Sequence, residues 1–160
     1  MGKDKNKDRQ ESKDEHENKN KLENETPVSG ITPTTVARTW TLDPSITLQH
    51  TIYGPNGQVI ALAGTRVNPL DHVNLNETLM FFDARDKAQV AWATSFLDSA
   101  QGQVKPILVG GDWIALSKAW QTQVYFDVGG TISHRLQITH VPSVITQQGH
   151  FLEIKEEVVS

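Results

Sequence analysis

Three short apolar runs, Leu79-Met80-Phe81-Phe82, Ile107-Leu108-Val109 and Val124-Tyr125-Phe126, are separated by stretches whose apolar residues recur at helical spacing. A continuous apolar run of that length fits a strand buried on both faces. A strand that feeds a helix and then a neighbouring strand lies parallel to it, so this alternation restricts the chain to a layered α/β arrangement. The first helix is predicted from about Asp86, with Val90, Ala93, Phe96, Leu97 and Ala100 on its stripe. Gly110-Gly111 ends the second strand, and Asp112 is placed to N-cap a helix carrying Trp113, Leu116 and Trp120. After the turn at Gly129-Gly130, Thr131 is the expected cap of a short helix containing Ile132 and Leu136. Val144-Ile145 and Phe151-Leu152-Glu153-Ile154 flank Gln147-Gln148-Gly149 and predict a closing hairpin, which makes the sheet mixed.

Upstream, Ile46, Leu48, His50 and Ile52 alternate with polar neighbours, Gly54-Pro55-Asn56-Gly57 forms a turn, and residues 59–63 are apolar again, a hairpin pattern. Gly64 and Val67-Asn68-Pro69-Leu70 end it, since proline cannot continue a ladder from inside. Residues 26–39, with Pro27, Gly30 and Pro33 among Ser and Thr, read as a linker. Of the first 25 residues 15 are charged, one is Leu and none is aromatic; such a segment cannot bury enough apolar surface to offset its ordering entropy and is expected to be disordered. The expected organisation is therefore a disordered tail and linker over residues 1–37, a β-hairpin lead-in over 38–78, and an α/β domain over 79–160.

The remaining 135 residues hold eight basic and eleven acidic side chains, so no basic excess marks a nucleic-acid surface. With no cysteine in the chain, disulfides, thiolate metal sites, Cys nucleophiles and dithiol redox chemistry are excluded. No apolar run approaches the ~18 residues of a membrane span, and the charges that continue after Met1-Gly2-Lys3-Asp4 do not open a signal peptide. Taken alone, the chain reads as soluble and cytoplasmic, with no cofactor.

Ile138-Thr139-His140-Val141-Pro142-Ser143, between the last short helix and the closing hairpin, resembles the cis-proline loop of the thioredoxin fold. That resemblance implies a thioredoxin-like mixed sheet with flanking helices and a cis Val141–Pro142 bond, an ordinary trans turn being the alternative. It also implies that the loop abuts the start of the helix near Asp86. The redox dithiol of that fold would fall at Asp83-Ala84-Arg85-Asp86-Lys87-Ala88, where no thiol stands, which favours binding over catalysis. The scattered histidines show no HExxH spacing for zinc. Asp83 and Asp86 sit where carboxylates cap a helix, and the adjacent Ser133 and His134 lack an oxyanion hole. Gly110-Gly111 lacks the Lys of a phosphate loop, and the Asn-x-Thr matches at Asn24 and Asn76 are taken as chance.

Several segments together resemble the TraW family of pilus-assembly proteins from F-type conjugative type IV secretion systems. They are Leu42-Asp43-Pro44-Ser45-Ile46, Gly57-Gln58-Val59-Ile60, Val67-Asn68-Pro69-Leu70, residues 79–82, Asp86, Gln89-Val90-Ala91-Trp92, Ile107-Leu108-Val109-Gly110, Tyr125-Phe126-Asp127, Gly130, Leu136, Ile138 and Val141-Pro142. Their order and spacing hold over about residues 40–157. The resemblance implies a periplasmic, non-enzymatic protein needed for pilus assembly and extension, partnered by the TrbC assembly protein and other secretion-system components. Asn68, Pro69, Leu70, Asp86, Gln89, Trp92, Tyr125, Phe126, Asp127, Val141 and Pro142 are its motif residues and the candidate partner-binding positions. The family's signal peptide has no counterpart in this chain, and Ser133 stands where some relatives carry Cys. A redox-associated or chaperone-like thioredoxin-fold protein acting on secreted clients is the alternative.

Overall fold

In the computed structural model, which describes residues 26–71 and 74–159, the first part of the chain forms six short strands. These are β1 (Thr32–Pro33), β2 (Arg38–Leu42), β3 (Ile46–Thr47), β4 (Ile52–Tyr53), β5 (Val59–Ala61) and β6 (Arg66–Val67). The alternating part follows as β7 (Thr78–Asp83), α1 (Lys87–Ser99), β8 (Val104–Gly110), α2 (Trp113–Trp120), β9 (Tyr125–Phe126), α3 (Thr131–Arg135), β10 (His140–Val141), β11 (Ser143–Gln148) and β12 (Phe151–Glu156). The main sheet has six strands in the order β2-β12-β11-β7-β8-β9. β7, β8 and β9 run parallel, whereas β11 is antiparallel to both β7 and β12, and β12 is antiparallel to β2. This is the layered α/β arrangement with a mixed sheet that the sequence pattern predicts.

Because successive side chains of a strand point to opposite faces, the apolar runs divide between two cores. Met80 and Phe82 of β7 and Leu108 of β8 pack with Ala93 of α1 and with Val124, under Trp92, Phe96, Leu116 and Trp120. Phe81, Ile107 and Val109 face the other way, joining Ile145, Leu152 and Ile154 of the closing hairpin. The two helices cover the first face. The second is covered by Val28, Ile31, Leu70, Leu75, Leu136 and Ile138, which come from the N-terminal lead-in and the α3 turn.

Both predicted aspartate caps are present. The Asp86 carboxylate accepts the Ala88 N–H at 2.9 Å, and that of Asp112 accepts the N–H groups of Ile114 and Ala115, each at 3.0 Å. Thr131 does not cap α3. The buried Asp127 carboxylate takes that role four residues earlier, accepting the N–H of Ile132 at 2.9 Å and of Ser133 at 2.8 Å. Gly129 and Gly130, both with positive φ, let the chain turn tightly enough for Asp127 to reach back to those donors.

Two expectations about the first part of the chain need correction. Disorder of residues 1–25 concerns residues outside the described range, but residues 26–37, read as linker, are docked. Val28 is 8% exposed and belongs to the second core, and β1 pairs in parallel with β10. The two-residue strand contains a proline and has no periodicity to reveal it. Likewise the boundary expected at 78/79 does not separate the sheet, since β2 pairs with β12 along its whole length. The predicted hairpin is present as two small ladders, β3–β6 and β4–β5, around the turn at residues 54–57.

Candidate protein-binding edge

The ends of the three parallel strands and the loop before β11 meet at one end of the sheet. Ser143 opens β11 opposite Phe81, so residues 139–142 lie at the level of Asp83, where β7 gives way to the turn into α1. The Val141–Pro142 bond is cis, as the loop's resemblance implied.

The turn itself is locked by its own polar side chains. The Asp83 carboxylate accepts the Arg85 backbone N–H at 2.9 Å and the Arg85 guanidinium at 3.0 and 2.7 Å. Burial pushes the Asp83 carboxyl up, and the Arg85 guanidinium and N–H more than offset this, holding it below the usual aspartate range. Gln89, fully buried, accepts the Asp83 N–H at 2.8 Å and donates to Asp86 at 3.2 Å. Gly110 and Gly111 close the turn from the β8 side; a Cβ at Gly111 would lie 2.7 Å from that of Ala84. These residues shape a rigid corner in which each carboxylate already has donors.

The motif residues do not converge on one site. Asp86 and Gln89 share the hydrogen bond of the α1 turn, while Trp92, one helical turn further along, stacks on Phe96 with ring centroids 5.4 Å apart. Tyr125 is exposed with the Lys105 ammonium 4.3 Å from its ring centre, Phe126 packs on the helix-covered core, and Asp127 caps α3. Asn68 accepts the Leu70 N–H at 2.9 Å and donates to the His150 carbonyl at 2.9 Å. With Pro69 and Leu70 it fastens the lead-in to the turn of the closing hairpin, where the Asp71 carboxylate meets the His150 ring at 2.8 Å. Val141 is buried in the second core.

The Ser133 hydroxyl donates to Asp127 at 2.6 Å and is fully buried. The His134 ring turns away from it to the Ser29 carbonyl, 3.2 Å distant. The two adjacent residues therefore do not form a nucleophile and its base. Among the described residues no cluster of three His, Asp or Glu is placed to hold a metal, and no helix is long and apolar enough to cross a membrane.

Sequence reasoning missed a charged cluster beside the loop. Glu156, 3% exposed at the end of β12, accepts two hydrogen bonds from the Arg38 guanidinium of β2 at 3.1 and 2.7 Å. The ring of His140 lies 3.6 Å from the same carboxylate. Burial raises the Glu156 carboxyl, but the hydrogen bonds and charge of Arg38 outweigh it and set the group below the usual glutamate range. With Thr35, Val36 and Ala37 these residues line a cleft of about 340 Å³. The signal was available in Phe151-Leu152-Glu153-Ile154-Lys155-Glu156, where period-2 alternation puts Glu156 on the inward face with Leu152 and Ile154.

A mixed α/β sheet thus presents, beside a locked turn, a loop edge already engaged in backbone pairing, with its carboxylates capping helices or paired with arginine. In comparison with known proteins, over 104 residues, 65% of its length, the chain is 38% identical to Protein TraW of Escherichia coli (strain K12). Over that stretch the chain is similar to TraW, and it spans about half the length of the E. coli relative, 49% of which is matched. No family model and no solved structure matches it.

Proposed function

We propose that this protein is a non-enzymatic assembly factor of an F-type conjugative type IV secretion system, acting in the periplasm on pilus assembly and extension by binding a TrbC-like partner. The observation that carries this reading is the 38% identity with TraW over 104 residues of the chain. We also read the domain as thioredoxin-like: the strand order β12-β11-β7-β8, with a helix after each of β7 and β8, supports that assignment. The locked turn of residues 83–86 then takes the place of the dithiol. A scaffold that keeps its peptide-facing edge but fills its reactive corner with an Asp–Arg pair serves recognition.

The test is to purify the chain with the TrbC-like protein encoded in the same system and to measure association by calorimetry or ultracentrifugation. A complex at micromolar concentrations or below is expected. Failure to associate, with both proteins shown to be folded, would overturn the reading.

A further inference from the structure

Residues 28–34 lie along the outer edge of the loop that precedes β11. The Val28 N–H donates to the Val109 carbonyl at 2.9 Å, Thr32 to Thr139 at 3.0 Å, and Thr34 to Val141 at 2.8 Å. The anchorage lies at Val28, Ile31 and Thr34, with Ile31 half-buried against the second core. Val28 packs with Val109, Ile138 and Val141 in the second core, and Thr34, 6% exposed, points its hydroxyl at the Pro142 carbonyl, 3.5 Å away. Between them the side chains of Thr32 and Pro33 face solvent. Room for Val28 exists because residue 130 has no side chain: a Cβ there would stand 2.7 Å from a Val28 methyl.

The structure of this contact is that of an added strand. Main-chain hydrogen bonds supply the attachment and alternate pockets supply selectivity, as in recognition of extended peptides. A two-residue ladder held by Val28, the half-buried Ile31 and one hydroxyl is a small cooperative unit, of the kind that opens without global unfolding. Opening would uncover the Thr139 and Val141 carbonyls together with an apolar slot beside Val109, Ile138 and Val141.

We propose that this edge is a strand-acceptor site, occupied in cis by residues 28–34 and taken in trans by an extended segment of the partner, which displaces them. The resident strap defines the occupant's chemistry: an aliphatic residue for the Val28 slot, a second aliphatic three positions later where Ile31 packs, an exposed extended pair, and a hydroxyl six positions after the first aliphatic. Because the strap is tethered, it competes at an effective concentration of the order of millimolar, so that the free chain is held closed against weak ligands.

The identity of the partner rests on the function proposed above, and the experiment separates the two ideas. In the full chain, Thr32→Cys and His140→Cys are introduced at directly opposed positions of the β1–β10 ladder; the absence of native cysteine makes the resulting disulfide clamp unique. The reduced variant is expected to bind the TrbC-like protein and the oxidised variant at least tenfold more weakly, with reduction restoring binding. Equal affinity in both forms would overturn the strand-displacement proposal and leave the proposed function standing. If neither form binds a folded partner, the proposed function fails, and the site is decided with a fluorescent synthetic peptide of residues 26–37. Full-length Val28→Asp, or Val28→Ala if the former loses its native near-UV spectrum, is expected to capture that peptide at least tenfold more tightly than the unaltered chain does, and not its V28D version. No capture would overturn the proposal.

Discussion

Glu156 occupies the third inward position of β12, after Leu152 and Ile154, and an inward carboxylate needs donors strong enough to offset its desolvation. Arg38 supplies two. Since the Arg38 side chain is itself 53% exposed, it can rehydrate when its partner is removed, and Glu156→Ala should cost about 2 kcal/mol, short of the ~3–5 expected for breaking a fully buried pair. The pH dependence has a fixed sign. The folded carboxyl lies below its ordinary value of 4.5, so its stabilisation is complete above that pH and is lost as pH falls through the folded value. Denaturant midpoints measured from pH 6 downwards should therefore fall more steeply for the unaltered chain than for Glu156→Gln; parallel curves would contradict the assignment. Asp127 offers a second test at this scale. It caps α3 and receives the Ser133 hydroxyl, so Asp127→Ala should destabilise by about 2 kcal/mol. Asp127→Asn, which keeps an acceptor oxygen for the helix N–H groups, should destabilise by about half as much, as read by chemical denaturation.

Among the elements, β7, β8, α1 and α2 were legible because burial on two faces and helical spacing both leave marks in composition, and because Asp86 and Asp112 announce the helix starts. β1 and β2 left no such mark. The strap's apolar anchors are Val28 and Ile31, isolated amid Ser, Gly, Thr and Pro, and the ladder it joins is two residues long. β2 presents Arg38 and Thr39 at its start, and its pairing is dictated by a strand more than a hundred residues away. The motif residues were legible as a set, but their roles were not: Gln89 and Asn68 work through hydrogen bonds to backbone at turns, a function that residue type alone does not distinguish from binding. Docking of the strap has a direct consequence. Limited proteolysis should yield a resistant fragment whose N-terminus lies at or before Val28; a fragment beginning near Arg38 at the same protease dose would oppose it. The β4–β5 hairpin behaves oppositely. Ile60 and Leu62 are 63% and 62% exposed, so replacing both with Ser should change stability by no more than about 0.5 kcal/mol each. A larger loss in thermal denaturation would mean that these side chains are packed in solution.

At the scale of the molecule, the mixed sheet has two faces to cover, and only one is covered by the helices that follow its own strands. α1 and α2 pack on Met80, Phe82 and Leu108. Apart from Leu136 and Ile138 of the α3 turn, the face bearing Phe81, Ile107, Ile145 and Ile154 depends on Val28, Ile31, Trp40, Leu42, Leu70 and Leu75, every one of which precedes Thr78. The lead-in is thus a layer of the same core, and β2 also covers the β12 edge that would otherwise offer unpaired backbone groups to other chains. Excision of residues 79–160 would leave fully buried side chains such as Phe81 and Ile154 facing water. At roughly 1.5–3 kcal/mol for each large apolar side chain returned to solvent, the loss of several exceeds a typical margin of about 5–15 kcal/mol. The 79–160 fragment should therefore lack cooperative unfolding and a native near-UV spectrum, and should aggregate through the freed β12 edge, whereas residues 26–160 should unfold in a single calorimetric transition. A dispersed amide spectrum and a sharp transition from the shorter fragment would show that the second face can close without the lead-in. The strap, β2 and the Asn68-Pro69-Leu70 clasp would then be appendages to an independent domain.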